Sequence, residues 1–413
     1  MPRVYFKNRL SGTAYYRALL AVCAVSVLCG ADWRQFRGNS TDGVAIDERL
    51  PTAWSEDDGP IAWKTSLVGR GSSGPIVIGD RVFVTASSGY DQDRLHAICF
   101  DARTGETHWH RQFWATGRTS CHPKISVATP TPASDGQRIF ALYSSNDLAC
   151  LDLDGNLLWY RGLGHDYPNA SNSLGMASSP VVVGETLVVQ VESDAEAFAA
   201  GIDVHTGVSR WQMERPRASN WTSAVTWKGE SGEENLVLLQ SSAGMSAVQP
   251  LTGEVVWSYR DGAATIPSSV VAGSMIYVPS HGLTALRPIA ASESPEITWR
   301  ENRLGPGTAT PLVYEDRVYI VNNSSVLVCG NTQTGKVEWR LRLKGPFSST
   351  PVAAGGHLYL CNEDGLCQIV RVGEQQGTLV ASGELGETII ATPAVADGAL
   401  YLRSDASLWK IAE

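Results

Sequence analysis

Short apolar runs separated by tight turns fill the chain from about residue 61 to its end. Each unit opens with an apolar run, passes a Gly or Asp turn into a Val- and Tyr-rich strand, and adds two further strands. The eight units start at Pro75, Pro132, Pro180, Thr222, Pro267, Pro311, Pro351 and Pro393. No segment after residue 31 keeps the period of a helix. The pattern therefore predicts an all-β protein built from repeated units.

A glycine followed four residues later by a tryptophan marks the end of most units. The pairs are Gly105/Trp109, Gly155/Trp159, Gly207/Trp211, Gly253/Trp257 and Gly335/Trp339, and Trp63 and Trp299 stand at the same phase. These seven tryptophans are 46, 50, 52, 46, 42 and 40 residues apart, close to the length of a four-stranded propeller blade. Leu385 stands near this phase in the seventh unit, which we interpret as a degenerate copy.

The two ends of the repeat complement each other. The last unit, residues 391–412, supplies three strands, and residues 61–65 form a fourth strand without a unit of its own. Pairing them would close the ring and remove its exposed sheet edges. We therefore predict an eight-bladed β-propeller of four-stranded antiparallel blades over residues 61–413, closed by an N-terminal strand. An arm, residues 32–60, is expected to pack on its outside.

Residues 1–31 have the pattern of a secretory signal peptide. Four basic residues precede or enter an apolar stretch at residues 18–28 that is too short to span a bilayer. An uncleaved anchor and a lipid on Cys29 are the alternatives. We expect an exported, periplasmic or envelope-associated protein with no transmembrane segment in the mature chain. The net charge of −9 becomes −13 without those four basic residues, which argues against a nucleic-acid partner.

If the protein is exported, its cysteines can form disulfides. Cys361 and Cys367 flank a short predicted hairpin loop, so a cross-strand disulfide is one possibility and two free thiols the other. Cys99, Cys150 and Cys329 share one repeat position in different blades and are expected as buried small side chains. Cys121 remains unpaired in a loop.

Two inter-blade loops, residues 111–128 and 161–178, are much longer than the hairpin turns. Because they connect neighbouring blades, they should meet on one face near the channel mouth and form a ligand or peptide site. The candidate ligand-binding residues are Trp114, Arg118, His122, Lys124, His165, Asp166, Asn169, Asn172 and Trp221. Solvated loops that merely cap the channel are the alternative. No catalytic or metal-binding residue is predicted.

The nonapeptide at residues 101–109, DARTGETHW, and its copies resemble the PQQ-type repeat. That repeat builds quinoprotein alcohol dehydrogenases and BamB-like outer-membrane assembly propellers. Residues 33–38, 69–75 and 121–124 look like exported PQQ-like propellers of planctomycete type. The resemblance implies that the repeated tryptophans dock neighbouring blades and bind no cofactor. These blade-docking residues are Trp63, Trp109, Trp159, Trp211, Trp257, Trp299 and Trp339.

The resemblance leaves several functions open. We expect a binding or scaffolding module, a monomer whose protein or small-molecule partner is unknown. The alternative is a quinone-dependent oxidoreductase that uses PQQ with calcium, although the chain lacks the adjacent Cys-Cys pair and the haem motif of such enzymes. Hydrolase or lyase chemistry on a polysaccharide would need paired carboxylates, for which Asp166, Asp194 and Glu196 are the candidates. Residues 69–74 match a dinucleotide motif in spacing, but a Pro-led strand follows instead of a helix.

Overall fold

The computed structural model describes residues 2, 32–46, 48–54, 59–229, 235–290 and 292–412. Apart from Pro2, the predicted signal peptide lies outside the described residues. Within these ranges the chain forms eight sheets, seven of four strands and one of five, with one short helix at Leu163–Asp166 and one 3-10 turn at Asn302–Leu304. No described helix has the length and apolar character needed to cross a membrane.

The strands are numbered β1 to β33 along the chain, and the blades 1 to 8 in the order of their first strands. The arm contributes β1 (Val44–Ala45), and β2 (Ile61–Ser66) follows it. Blade 1 has β3 (Ile76–Ile78), β4 (Arg81–Ser88), β5 (Arg94–Asp101) and β6 (Thr107–Trp114). Blade 2 has β7 (Ala133–Ser134), β8 (Arg138–Leu142), β9 (Asp147–Asp152) and β10 (Leu157–Gly162). Blade 3 has β11 (Val181–Val183), β12 (Thr186–Glu192), β13 (Ala197–Asp203) and β14 (Ser209–Glu214). Blade 4 has β15 (Val225–Lys228), β16 (Asn235–Ser241), β17 (Gly244–Val248) and β18 (Val255–Tyr259).

The second half of the ring repeats this plan. Blade 5 has β19 (Val270–Ala272), β20 (Met275–Val278), β21 (Leu283–Arg287) and β22 (Glu296–Glu301). Blade 6 has β23 (Leu312–Tyr314), β24 (Arg317–Val321), β25 (Val326–Asn331) and β26 (Val337–Arg342). Blade 7 has β27 (Val352–Ala354), β28 (His357–Cys361), β29 (Leu366–Arg371) and β30 (Thr378–Glu384). Blade 8 has β31 (Ala394–Ala396), β32 (Ala399–Arg403) and β33 (Ser407–Ile411).

The short first strands of the blades surround the axis, where β3 lies beside β31 and the first strands of most successive blades lie next to one another. The ring closes through β2, which pairs antiparallel with β33 from Ile61 opposite Ile411 to Ser66 opposite Ser407. The predicted eight-bladed, all-β propeller closed by an N-terminal strand is therefore confirmed. Closure pairs both chain ends of the ring and leaves no blade short of a strand.

The repeated tryptophans lie between blades. The Trp63 indole N–H donates to the Ala102 carbonyl of blade 1 at 3.2 Å, and the Trp109 N–H donates to the Leu153 carbonyl of blade 2 at 2.8 Å. Gly105 has φ +73°, and a Cβ there would come within 2.7 Å of the Trp63 ring. Trp257 is buried without a partner for its N–H among the described residues. The glycine of the repeat is thus the seat for the preceding tryptophan.

Blade 7 lacks the repeated tryptophan, and the residue at the equivalent position is not the expected Leu385. In blade 6, Trp339 pairs with Cys329, and the equivalent pair in blade 7 is Ala381 with Ile369. Leu385 lies beyond β30, so its identification as the degenerate copy is wrong. Trp54 of the arm is buried between blades 7 and 8, against Gly383 of β30. The arm thus supplies an indole to the blade that has none.

We predicted that the arm packs on the outside of the ring. In the structure it crosses the inner strands instead. Trp33 pairs with Val77 of blade 1, and β1 runs parallel to β27 of blade 7. Between them, Arg37 is buried and donates to the Ser269 and Pro311 carbonyls of blades 5 and 6. The composition of a loop gave no sign of this path, because its stabilising bonds join residues more than 200 positions apart.

Candidate functional site

A cavity of about 370 Å³ lies on the propeller axis, lined by residues of all eight blades and by Phe36 of the arm. Because the arm crosses one end of it, we call it the blind cavity. The arm crosses the face that carries the hairpin turns between first and second strands, where Asp32 accepts from Gly79 N and Glu48 accepts from Gly398 N. We call this the arm face. Phe36 of the arm lines the cavity, which places an aromatic floor at that end. The inter-blade loops form the opposite face, the loop face, and surround the mouth.

A ring of hydroxyl groups encircles the lower part of the cavity. Its members stand two residues before the first strand of seven blades. They are Thr131, Ser179, Ser223, Ser268, Thr310, Thr350 and Thr392. Each oxygen accepts the backbone N–H of the equivalent residue in the preceding blade, at 2.9 to 3.3 Å. We call this set the hydroxyl ring. Among the described residues, none of these hydroxyls donates a hydrogen bond.

Blade 1 interrupts the hydroxyl ring with Gly74. Its N–H donates to Thr131 Oγ1 at 2.9 Å, so the backbone continues the ring although the side chain does not. A Cβ at this position would come within 2.7 Å of the Thr392 carbonyl oxygen. Close approach of blades 1 and 8 therefore requires glycine there.

A second layer lies two residues earlier in each blade, nearer the mouth. It consists of Ser72, Thr129, Ala177, Trp221, Ile266, Thr308, Ser348 and Ile390. Trp221 is held by its indole N–H, which donates to the Gly175 carbonyl at 2.8 Å. With the N–H engaged, the indole offers mainly apolar surface to the cavity. This layer combines small hydroxyl side chains with an apolar wall.

One ion pair spans part of the mouth. Lys124 Nζ, in the loop between blades 1 and 2, lies 2.6 Å from Glu363 Oε1 of blade 7. Glu363 also accepts from Ser348 Oγ at 2.8 Å. His122 lies beside the pair, where its Nδ1 accepts the Lys124 N–H at 3.1 Å. The charges of the lysine and the glutamate thus compensate each other at the entrance.

The structure separates the nine predicted ligand-binding residues into three groups. His122, Lys124 and Trp221 line the cavity. Asn172 is buried behind the mouth and donates to Ser219 Oγ at 2.8 Å. The remaining five, Trp114, Arg118, His165, Asp166 and Asn169, are exposed and do not contribute to the lining. They follow their loops toward the outer edge of blades 1 to 3, which loop length alone could not indicate.

The three candidate carboxylates are engaged by neighbouring loops. Asp166 pairs with Arg161, Asp194 accepts from Ser219 N at 2.9 Å, and Glu196 accepts from Asn169 N at 3.0 Å. None of them lines the axial cavity. The polysaccharide-cleaving hypothesis therefore has no carboxylate pair there to supply a general acid and a base.

Sequence reasoning missed the hydroxyl ring itself. Its signal is present in the repeat, since a hydroxyl residue precedes the unit-opening proline in Ser179-Pro180, Thr310-Pro311, Thr350-Pro351 and Thr392-Pro393. A Ser or Thr before a proline is common in turns, and the inward direction of these side chains follows only from the assembled ring.

Of the two possibilities left open for Cys361 and Cys367, the structure contains the disulfide, which joins Cys361 of β28 to Cys367 of β29, directly opposite in the sheet. Cys99, Cys150 and Cys329 are buried, and burial raises the pKa of each thiol to about 12. Cys121 has no disulfide partner and accepts a hydrogen bond from Gln92. The thiols at the repeat position are thus held protonated in apolar packing.

The lining fits a calcium-bound quinone poorly. Calcium sites need several oxygen ligands, usually with carboxylates among them, and no described residue that lines the axial cavity is Asp or Glu. Across the described ranges, no three His, Cys, Asp or Glu side chains are grouped as a metal site would require. The one lining lysine is already paired with Glu363. We therefore derive no reaction step from such a cofactor.

Comparison with known proteins gives the same fold. The family model described as outer membrane protein assembly factor BamB matches residues 38–213, 116–273 and 280–380. No curated protein matches the sequence significantly. BamB from Moraxella catarrhalis shares 17% identity over 86% of this chain and 97% of that chain, with a TM-score of 0.63.

Two dehydrogenases are also similar in structure. A europium-containing methanol dehydrogenase shares 13% identity over 91% of this chain and 90% of that chain, with a TM-score of 0.65. The quinohemoprotein alcohol dehydrogenase from Comamonas testosteroni shares 12% identity over 92% and 80%, with a TM-score of 0.68. Identities this low show a common fold and do not extend the activity of those proteins to this chain. Because the family model covers more than half of the chain, the protein belongs to the BamB-like family of PQQ-repeat β-propellers.

Proposed function

We propose that this protein is an exported binding module of the cell envelope, and that its ligand enters the blind cavity from the loop face. The observation that carries the proposal is the cavity itself, which is closed by Phe36 at one end and surrounded by long loops at the other. Concave sites with a few directed polar groups on an apolar wall are typical of ligand binding. The rigid ring would hold the site, and the loops would select the ligand.

The charge and chemistry of the lining favour binding over catalysis. The side chains facing the cavity are hydroxyls, aliphatic groups and Trp221, with His122 and the Lys124–Glu363 pair at the mouth. A nucleophile activated by a base would need the two side chains within hydrogen-bonding reach. None of the hydroxyls in the ring contacts a histidine or a carboxylate among the described residues. In the layer nearer the mouth, Ser348 donates to Glu363, but that carboxylate is already paired with Lys124. The arrangement can donate hydrogen bonds to a ligand and exclude water from it.

A cavity-filling variant tests the proposal. Ala177→Trp would place an indole in the upper layer, and Val208→Trp adds the same side chain at an exposed position of the same blade. Wild type and both variants would be incubated with an extract of the source organism's cell envelope and analysed by native mass spectrometry for a retained molecule. We expect retention by the wild type and by Val208→Trp, and loss by Ala177→Trp. Equal retention by all three proteins would contradict a cavity site.

A further inference from the structure

We propose that the blind cavity receives the terminal ring of a neutral saccharide, with the sugar resting against Phe36 and its oxygens facing the hydroxyl ring. The inference rests on the proposed function, since it takes the cavity to be the ligand site, and it adds the chemical class of the ligand. The lining carries the argument through its shape, its hydrogen-bond donors and its charge.

The shape favours the end of a molecule over its middle. Phe36 closes the arm end, so an occupant enters through the loop face and terminates in the cavity. The volume of about 370 Å³ lies near the lower end of the range of small-ligand sites, about 300–1,000 Å³. A single ring therefore fits better than a folded chain, and any remainder of the ligand would leave through the mouth beside Trp221.

The hydroxyl ring can donate hydrogen bonds to oxygen atoms placed around the perimeter of a ligand. Each hydroxyl oxygen already accepts a backbone N–H, and its own proton remains available to donate. The preceding N–H polarises the hydroxyl and strengthens the bond that it donates. Because the donors come from seven blades around the axis, one carboxylate or one carbonyl could satisfy few of them. A pyranose carries oxygens on most of its ring carbons and presents them in all directions of its plane.

The apolar part of the lining suits the faces of the same ring. A sugar exposes C–H groups above and below its plane, and these pack against aromatic and aliphatic surfaces. Trp221 offers its indole surface because its N–H is bound to Gly175 O, and Ile266 and Ile390 continue the wall. Phe36 supplies the floor. Hydroxyl donors at the perimeter and apolar contacts on the faces together match an amphipathic ring.

The charge of the cavity lining favours a neutral ligand over an anionic one. Lys124 is the one lysine or arginine among the described residues lining the cavity, and Glu363 compensates it at 2.6 Å. A buried anion would have no uncompensated cation to pair with and would lose its hydration. A neutral polyol loses less on entry, because each water bond is replaced by a hydroxyl bond. The lining thus selects a neutral saccharide over a nucleotide or a polycarboxylate.

Direct titration tests the ligand class. The probes are the methyl glycosides of glucose, galactose, mannose and N-acetylglucosamine, short oligosaccharides that end in each, and methyl glucuronide as the charged counterpart of the glucoside. Isothermal titration calorimetry on the full chain should show binding of at least one neutral sugar, with the charged counterpart at least about tenfold weaker. Absence of binding by every neutral probe, or preference for the glucuronide, overturns the inference.

Variants of Thr310 test the hydroxyl ring. Thr310→Val keeps the shape and removes the hydroxyl, whereas Thr310→Ser keeps the hydroxyl that accepts Ser268 N. We expect the valine variant to bind the best neutral sugar about tenfold more weakly and the serine variant to bind it nearly as well as wild type. Thr284→Val, in which a buried hydroxyl outside the cavity is lost, controls for a general loss of stability. Equal affinity of the Val and Ser variants contradicts the role of the ring.

The cavity-filling variant distinguishes failure of the saccharide inference from failure of the proposed function. If no sugar binds but Ala177→Trp still loses a different retained molecule, the cavity is a ligand site and only the saccharide class is wrong. If a sugar binds equally to Ala177→Trp and wild type, it binds elsewhere, and the saccharide inference fails. If Ala177→Trp retains every ligand of the wild type, the proposed function fails as well.

Discussion

At the scale of single residues, a histidine pair joins two strands of blade 1. His96 is buried, its Nε2 lies 2.7 Å from Ser88 Oγ, and its Nδ1 lies 2.8 Å from Nε2 of His110. Burial, followed by the nearby His110 and Arg94, lowers the pKa of His96 to about 4. The pair therefore links β5 and β6 as neutral imidazoles and makes the fold sensitive to acid.

This arrangement predicts a specific loss of stability at mildly acidic pH. An unfolded histidine binds a proton near its ordinary pKa of 6.5, whereas folded His96 binds one only near pH 4. Between these values the unfolded state holds the extra proton, so the free energy of unfolding falls as pH decreases, by at most about 1.4 kcal/mol per pH unit. Above pH 6.5 His96 is neutral in both states, and its full contribution to the free energy of unfolding is present.

Urea unfolding of wild type and His96→Gln at pH 7.5 and 5.0 measures this effect. We expect a smaller difference between the two pH values for His96→Gln than for wild type. His165→Gln, which removes an exposed histidine of the short helix, should behave like wild type. Parallel pH dependence in wild type and His96→Gln would show that His96 does not cause the acid sensitivity.

At the scale of secondary-structure elements, blade 7 shows how a defective repeat is completed. Its outer strand, β30, carries Ala381 where the other outer strands carry tryptophan. Trp54 enters from the arm, lies against Gly383 of β30, and belongs to the same buried cluster as Cys367, Ile369 and Leu400 of blades 7 and 8. The gap left by one element is filled by another that is more than 300 residues away in sequence. The arm is thus part of the packing of the ring.

Truncation of this indole should be costly. Trp54→Ala is expected to lower the free energy of unfolding by about 3 to 5 kcal/mol, because a large buried side chain leaves a cavity between two sheets. Trp114→Ala removes the same side chain from an exposed position, 59% accessible, and should cost less than about 1 kcal/mol. Denaturant midpoints at constant m-value measure both. Similar losses for the two variants would mean that Trp54 does not hold blades 7 and 8 together.

At the scale of the whole molecule, the arm converts an axial channel into a blind cavity. Arg37 is the centre of this closure, since its guanidinium donates to the Ser269, Pro311 and Asp42 carbonyls. Burial lowers the pKa of Arg37 to about 10, so the side chain remains charged at neutral pH. Backbone carbonyls of two blades and of the arm solvate this cation. The same contacts hold Phe36 at the floor of the cavity.

Replacement of Arg37 should therefore loosen the arm before it unfolds the ring. In Arg37→Met we expect faster amide hydrogen exchange at Val77 and Ala353, whose N–H groups donate to Trp33 O and Gly43 O of the arm. Exchange in the central strands of the blades should change less. Arg34→Met is the matched control, because Arg34 pairs with Asp32 at the partly exposed edge of the arm. Unchanged exchange at Val77 and Ala353 would show that Arg37 does not secure the arm.

The sequence by itself determined the blades, because each is a local unit whose turn, strand and tryptophan lie within about 50 residues and recur with the same phase. It also indicated the closing strand β2 and allowed a Cys361–Cys367 disulfide. Of the nine candidate ligand-binding residues, the structure places His122, Lys124 and Trp221 around one cavity.

Only the tertiary structure decided the inner path of the arm, the origin of the indole beside blade 7, and the hydroxyl ring. The bonds of Arg37 join carbonyls of two blades, and each hydroxyl of the ring meets its partner in a neighbouring blade. The repeat marks the positions of the hydroxyl residues but not their contacts, because the contacts depend on the rotation that brings eight similar blades around one axis. The repeat specifies the blade, and closure of the ring creates the cavity in which we place the ligand.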